Sequence, residues 1–418
     1  MIEEKVGLLD EIRSRFAQVD ACPIEGERIF FENAGGSLTL RSVIETSARM
    51  AAIPDNQGRT NAGSKDLERQ IQDAKAKAQT FFNAKGGQVF VGESGTELLF
   101  RLLSAACLGV KKPGIVLGST LEHPSSRSAV ARWAAIAELK DVAVPHNDTT
   151  GTVSVEDYLP EITPDVRIAT IIHTSPITGM GVDIARITKA IRKVAPDCLV
   201  IVDGIQHAAH GGIDVSEADV DGYVISPYKM FSRHGYGMAW ISDRLAKLPH
   251  NALIGGPEAN WEMGTRDTGS YATFSDVVDY LSWLGAHFTD SRDIRGRIEA
   301  AGEAMKAQEA ALVKAMIYGI GNQKGLAELE GVTIIGGEDN PAREGLVCLS
   351  VSGVASADVV QQLNDRGIRT HVRKADHYSG NILRPLGLDS AVRVSLAHYN
   401  SRAEVATFLT AMRDIIKG

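Results

Sequence analysis

Cysteine is scarce in this 418-residue chain, with only Cys22, Cys107, Cys198 and Cys348. None forms a Cys-x-x-Cys pair, and three sit in apolar surroundings (Ala-Ala-Cys-Leu, Asp-Cys-Leu-Val and Leu-Val-Cys-Leu). That usage argues against a disulfide framework or a zinc site and for buried thiols in a reducing compartment. Excess positive charge is also missing: 44 Lys and Arg stand against 52 Asp and Glu, a net charge of −8. A nucleic-acid or anionic-membrane partner would want a basic face, so neither is expected. No apolar run reaches membrane-spanning length, and the opening Met-Ile-Glu-Glu-Lys lacks the order of a secretion signal. The expectation is a cytoplasmic globular protein without repeats, too long for one small core.

What is present is an alternation. Residues 5–18 carry apolar side chains at helical spacing. From about 86 to 245, apolar runs at 88–91, 114–117, 142–144, 168–173, 199–203, 223–226 and 238–241 alternate with longer helical stretches. The latter span 97–108, 126–137 and 184–194, with a short one after Asp203. Val- and Ile-rich strands without polar alternation, separated by helices, mean an α/β fold whose sheet is covered on both faces and mainly parallel. Such sheets bind ligands at the carboxyl ends of their strands. Ser94, Gly95, Thr96, His123, Ser175, Asp203 and Ser226 fall at that edge. Beyond it, 275–315 reads as a long helical region, 331–335, 345–351 and 391–397 as strands, and 356–366 and 402–416 as helices. The expected division is a large domain over 20–274 and a smaller α+β domain from 1–19 and 275–418.

One pair of residues carries the most chemistry. Asp203 closes the run Leu-Val-Ile-Val-Asp, and Lys229 follows the next strand in Ser226-Pro227-Tyr228-Lys229. A lysine amine can capture the aldehyde of pyridoxal phosphate as a Schiff base. An aspartate can keep the cofactor's pyridine nitrogen protonated, so that the ring accepts electrons from the substrate's α-carbon. Asp203 alone would read equally well as a helix cap. Ser94-Gly95-Thr96 joins a strand to a helix, and backbone N–H groups beside a hydroxyl there favour a phosphate, although an ordinary cap looks the same. Ser226 could add a second hydroxyl. His123 could stack on the ring and move a proton, and Gln206 could reach the phenolic oxygen. Arg393, a charge within the apolar run Val-Arg-Val-Ser-Leu, suits a substrate carboxylate. His207 and His210 lack a placeable third ligand, so no metal is expected.

Taken in order, these residues resemble the class V aminotransferase superfamily of fold type I pyridoxal-phosphate enzymes, in its cysteine-desulfurase-like branch. The resemblance covers nearly the whole chain. Phe31-Glu32-Asn33-Ala34-Gly35-Gly36 is similar to the family's substrate-side strand and turn. Leu121-Glu122-His123, Val202-Asp203-Gly204-Ile205-Gln206 and Ser226-Pro227-Tyr228-Lys229 resemble its ring-stacking, pyridine-nitrogen and Schiff-base motifs. Glu262-Met263-Gly264-Thr265 resembles the loop that reaches across a homodimer to the partner's cofactor phosphate. The resemblance implies a seven-stranded sheet with a smaller α+β domain. It also implies Lys229, His123 and Asp203 as catalytic residues. Gly95, Thr96, Gln206, Ser226, Tyr228 and Thr265 then join these three at the cofactor, and Asn33, His377 and Arg393 lie at the substrate.

Three departures bear on the reaction. The family's desulfurases take sulfur with a cysteine on a mobile loop, and the matching stretch here, 368–384, has no cysteine. The usual asparagine near the cofactor is replaced within Thr174-Ser175-Pro176-Ile177-Thr178-Gly179, and Tyr228 stands where a histidine usually precedes the lysine. The leading expectation is a lyase acting on a small amino acid by elimination at the β-carbon, without a persulfide step. Alternatives are transamination, racemisation or epimerisation, and a catalytically idle cofactor-binding regulator. Arg373, His377, Tyr378, Arg384 and Asn33 are expected to line the substrate side and decide among them.

Overall fold

The computed structural model describes residues 1–264 and 266–417. Seven strands form one sheet: β1 (Gln88–Gly92), β2 (Ile115–Ser119), β3 (Lys140–Val144), β4 (Val166–Ile172), β5 (Leu199–Asp203), β6 (Gly222–Ile225) and β7 (Gly237–Ile241). Their order is β1-β7-β6-β5-β4-β2-β3. The ladder from β6 to β3 is parallel throughout, and β7 alone runs antiparallel to both of its neighbours. Every side chain of β5 is buried, as the unbroken apolar run requires when helices cover both faces. Successive residues enter opposite cores. Val200 and Val202 join one apolar cluster, and Leu199 and Ile201 join another.

The helices have sequence-encoded starts. Ser94 caps α4 (Gly95–Gly109), its hydroxyl accepting from Glu97 N at 3.1 Å. Pro124, whose missing N–H costs nothing there, opens α5 (Pro124–Ala137). Asp183 caps α6 (Ile184–Val194), whose Ile184, Ile187 and Ile191 are buried along one stripe.

A second, four-stranded antiparallel sheet comprises β8 (Val332–Ile334), β9 (Leu346–Val351), β10 (His371–Lys374) and β11 (Ser390–Ser395), in the order β8-β9-β11-β10. The helices α9 (Ser356–Asn364) and α10 (Arg402–Lys417) pack with it around Val347, Leu349, Val392 and Phe408. This is the smaller α+β part of the fold. The long helical region expected over 275–315 is two helices, α7 (Gly269–Gly285) and α8 (Ile294–Tyr318). Asp293 starts the second by accepting from Gly296 N at 3.0 Å.

Other elements differ from the sequence reading. The opening helix α1 is confined to Leu8–Ser14, and the segment after Asp203 is a single turn, His207–Ala209. The helices α2 (Arg41–Ala51) and α3 (Ala62–Phe82) were not anticipated. Neither was β10, because His-Val-Arg-Lys carries no apolar alternation. It is an edge strand of partly exposed residues whose neighbour β11 supplies the ladder. Among the described residues no helix is long and apolar enough to cross a membrane.

Candidate active site

At the carboxyl ends of β5 and β6 lies a small cavity. Thr96, His123, Asp203, Gln206, Ser226, Tyr228 and Lys229 all line it, and Ile172, Thr174 and Pro176 form its wall on the β4 side. Sequence placed Thr96, His123, Asp203 and Ser226 at this edge and assigned Gln206, Tyr228 and Lys229 to the cofactor, and the parallel strands bring them together; Ser175, expected at the same edge, is not among the lining residues. Lys229 ends a single turn, Pro227–Lys229, that follows β6 directly. Its Nζ donates to Gln206 Oε1 at 3.2 Å. Burial, reinforced by Arg393 and opposed by Asp203, pulls its pKa down to about 7. An amine so placed is largely neutral near physiological pH and is therefore nucleophilic.

Asp203, 3% exposed, is held at the end of β5 by accepting from Ile205 N through Oδ1 at 3.1 Å. Burial raises its pKa to about 6. A carboxylate kept in so dry a place favours a cationic partner when one arrives. His123 Nδ1 accepts from Ser125 N at 3.2 Å and lies 2.6 Å from Ser125 Oγ, so the ring caps α5 while it faces the cavity. Burial, then the charges of Lys229, Arg373 and Arg127, push its pKa down to about 3. The ring is neutral at physiological pH. With Nδ1 accepting, the ring's one proton sits on Nε2, so the ring can donate a hydrogen bond from there or stack, but it holds no second proton to give up.

The start of α4 forms the third part of the site. A Cβ on Gly95 would stand 2.5 Å from both Ser226 Oγ and Ile205 Cδ1. Only glycine lets the Ser226 hydroxyl abut the first turn of that helix. Exposed helix N–H groups with the Thr96 and Ser226 hydroxyls beside them make an anion cradle. A nucleophilic amine, a dry carboxylate, a phosphate cradle and a neutral ring around one small cavity together fit pyridoxal 5′-phosphate.

Residues 29–408 match the family described as aminotransferase class V. The chain belongs to the class V aminotransferase family. As a member of this family it is a pyridoxal phosphate-dependent enzyme, and pyridoxal 5′-phosphate is its cofactor. The chain is 26% identical over 435 residues to the cysteine desulfurase-like protein ustD of Aspergillus flavus, covering 99% of this chain and 92% of that protein. It is 27% identical over 406 residues to the nonribosomal peptide synthetase-like enzyme fsqF of Aspergillus fumigatus, covering 93% of this chain but only 26% of that one. The apo cysteine desulfurase of Thermococcus onnurineus NA1 shares the fold, with a TM-score of 0.82 at 22% identity over 98% of both chains.

Around the class V site, the residues assigned to substrate part company. Arg393, 4% exposed on β11, donates from Nη1 to Pro176 O at 3.0 Å, and its Nε has no partner among the described residues. It thus stands immediately behind the cavity wall. Asn33 does not line the cavity: its Nδ2 donates to Ser395 O at 2.8 Å and its Oδ1 accepts from the Tyr399 hydroxyl. Those bonds tie the turn before Gly35 to β11, so the side chain supports the strand of Arg393. His377 is exposed; its carbonyl accepts from Arg127 Nη2 at 3.1 Å, and its ring packs on that of Tyr378 with centroids 4.2 Å apart. The ring of Tyr228 stacks on His234 at 4.3 Å. Thr265 lies outside the described residues.

Three features escaped the sequence. His207 and His210, three residues apart, reach different acids: Nδ1 of His210 is 2.7 Å from Glu309 Oε2, and Nδ1 of His207 is 2.8 Å from Glu344 Oε1. Both acids come from beyond residue 300, so no local spacing could announce them. Glu122, beside His123, is fully buried, with Oε1 accepting from Ile172 N at 2.9 Å and Ser119 Oγ at 3.1 Å. Burial raises its pKa to about 8. An acid flanked by apolar residues in Thr-Leu-Glu-His was the available signal.

Proposed function

We propose that the protein acts on a small amino acid through Lys229, most simply as a lyase that eliminates a group from the β-carbon. The observation that carries this reading is the amine of Lys229, lowered to about 7 by burial and set 3.2 Å from Gln206 within the cavity that also holds Asp203. Pyridoxal phosphate, when bound, supplies an electron sink for the charge released at the substrate's α-carbon. Lys229 would be its attachment point, Asp203 would hold the proton on the ring nitrogen, and the Gly95–Thr96 helix start with Ser226 would take the phosphate. Gln206 would hydrogen-bond the phenolic oxygen, and the neutral ring of His123 would pack against the cofactor.

Arg393 binds the α-carboxylate, which orients the α-hydrogen toward Lys229 Nζ. The Lys229 amine would take that proton, and the β-substituent would leave with the electron pair of its bond to the β-carbon and pick up the proton from Lys229. A persulfide step is absent from this scheme. Segment 368–384 has no cysteine, and Cys348, buried on β9, has its pKa pushed by burial up to about 11. A thiol that stays protonated is a poor nucleophile. The working unit proposed is a homodimer.

The experiment is a visible-absorption and product screen of the purified holoprotein with L-amino acids. Elimination is expected to release ammonia and an α-keto acid whose side chain has lost its β-substituent, and Cys348→Ser is expected to leave that release intact. Keto acid formed without ammonia, once per cofactor, would instead mark an aminotransferase, and loss of optical activity alone a racemase. An absorption band unmoved by every amino acid would favour an idle cofactor-binding protein. Borohydride reduction of the holoprotein is expected to fix the cofactor on Lys229, and a label mapped to another lysine would end the case for this one.

A further inference from the structure

Arginine 393 has a like-charged neighbour on its own sheet. In the β10–β11 ladder, His371 lies opposite Arg393 and Arg373 opposite Ala391. Side chains two apart on a strand share a face, so Arg373 and Arg393 are diagonal neighbours on the same side of the sheet. Neither guanidinium has a carboxylate within 4.0 Å among the described residues. The nearby acids are already engaged. Glu32 is held by Arg369 at 3.0 Å and His371 at 3.1 Å, and Asp376 Oδ1 accepts from the backbone of Tyr378 at 2.8 Å.

Arg373 is instead steadied by a neutral group, its Nε donating to Ser379 Oγ at 2.8 Å. That bond fixes the planar fork without consuming its charge. The field of the pair is felt at the reacting groups. Burial and then Arg373 lower the pKa of Arg393 to about 10, and Arg373 also acts on Lys229 and His123. Two half-buried or buried guanidiniums of like charge, diagonal neighbours without a direct ion pair and only partly offset by Asp376 and Glu32, raise the energy of the empty site. A single α-carboxylate answers one of them. The cofactor phosphate does not answer the other, since its cradle is at the start of α4 on the opposite element.

We propose that the substrate carries a second anion at the end of a short side chain, a carboxylate, sulfinate or sulfonate, and that Arg373 binds it while Arg393 takes the α-carboxylate. This rests on the amino-acid reading of the site given above and narrows it to acidic amino acids. Arg373 becomes the specificity-determining residue.

The test uses the holoprotein and two independent series of probes. L-aspartate, L-cysteate and L-alanine are titrated against the visible absorption band, and succinate and butyrate are titrated by calorimetry. The wild type is expected to bind each two-anion probe about tenfold or more tightly than its one-anion counterpart. Arg373→Gln is expected to bring both ratios close to one, and Arg373→Lys to restore part of them. Equal affinity of the wild type for alanine and aspartate, or a ratio unchanged in Arg373→Gln, would overturn the proposal. So would a loss of cofactor affinity in that variant, which would assign Arg373 to the phosphate. Succinate binding that depends on Arg373 while no amino acid moves the band would leave the anion pair standing and remove the amino-acid reading. Failure of both series would remove both.

Discussion

Nδ1 of His210 lies 2.7 Å from Oε2 of Glu309, with the two side chains 3% and 2% exposed. The contact joins the turn after Asp203 to helix α8, and it continues inward. Nε2 of His210 is 3.2 Å from Gln206 Nε2, and Gln206 Oε1 accepts from Lys229 Nζ at 3.2 Å. A proton on Nδ1 shared with Glu309 leaves Nε2 to accept from the Gln206 amide, and this turns the amide oxygen toward the lysine. Removing one partner strands a buried group. Glu309→Ala is expected to lower the unfolding free energy by about 3–5 kcal/mol, read from denaturant midpoints. Glu309→Gln, which keeps the shape and one acceptor, should lose less, and equal losses would deny the pair its role.

The reactivity of Lys229 should follow its depressed pKa. An ordinary lysine is almost wholly protonated at neutral pH, whereas half of the Lys229 amine is free near pH 7. Trapping of an aldehyde by borohydride at this position in the apoprotein should rise through pH 7 and level off about one unit above it. Peptide mapping of the labelled lysine provides the measurement. A midpoint near that of the surface lysines would mean that burial does not control the amine.

Glu122 offers a test on stability. Its folded pKa of about 8 stands above the unfolded value, so the folded state holds the extra proton between the two. Stability from this group is therefore present at acid pH and falls as pH rises through that window. Glu122→Gln keeps the oxygen that accepts from Ile172 N and removes the titration. The variant should match the wild type near pH 5 and exceed it at pH 8, by on the order of 3 kcal/mol. Parallel pH profiles in thermal melts would refute the raised pKa.

Gly95 is predicted to be intolerant for a steric reason. A methyl group there meets Ser226 Oγ and Ile205 Cδ1 at 2.5 Å, so Gly95→Ala must push the hydroxyl away from the start of α4. Cofactor affinity, measured by titrating apoprotein with pyridoxal phosphate, should fall about tenfold or more, the loss of one charge-assisted hydrogen bond. Pairing it with Ser226→Ala should relieve the clash without restoring the bond. Unchanged affinity in Gly95→Ala would place the phosphate elsewhere.

Much of the fold was legible because most strands of the main sheet are short apolar runs, and burial on both faces admits little else; the edge strand β3 is the exposed exception. The lysine, the aspartate and the glycine-hydroxyl turn were legible for the same reason. Each sits at a strand end, and parallel strands gather their ends along one edge. The polar edge strand β10 and the helices α2 and α3 were not, since their placement depends on neighbours far along the chain. Asn33 had the right motif, yet tertiary hydrogen bonds to Ser395 and Tyr399 turned its amide away from the cavity.

Local order therefore determined which cofactor this chain can hold, because the groups that grip it follow their own strands within a few residues. Tertiary structure alone decided which charges crowd the site. Arg373 and Arg393 become neighbours only through the β10–β11 register, and His210 meets Glu309 only when α8 packs against the turn after β5. Such pairings join segments whose separation along the chain carries no periodic signal. Their energies depend on burial that a sequence pattern does not record.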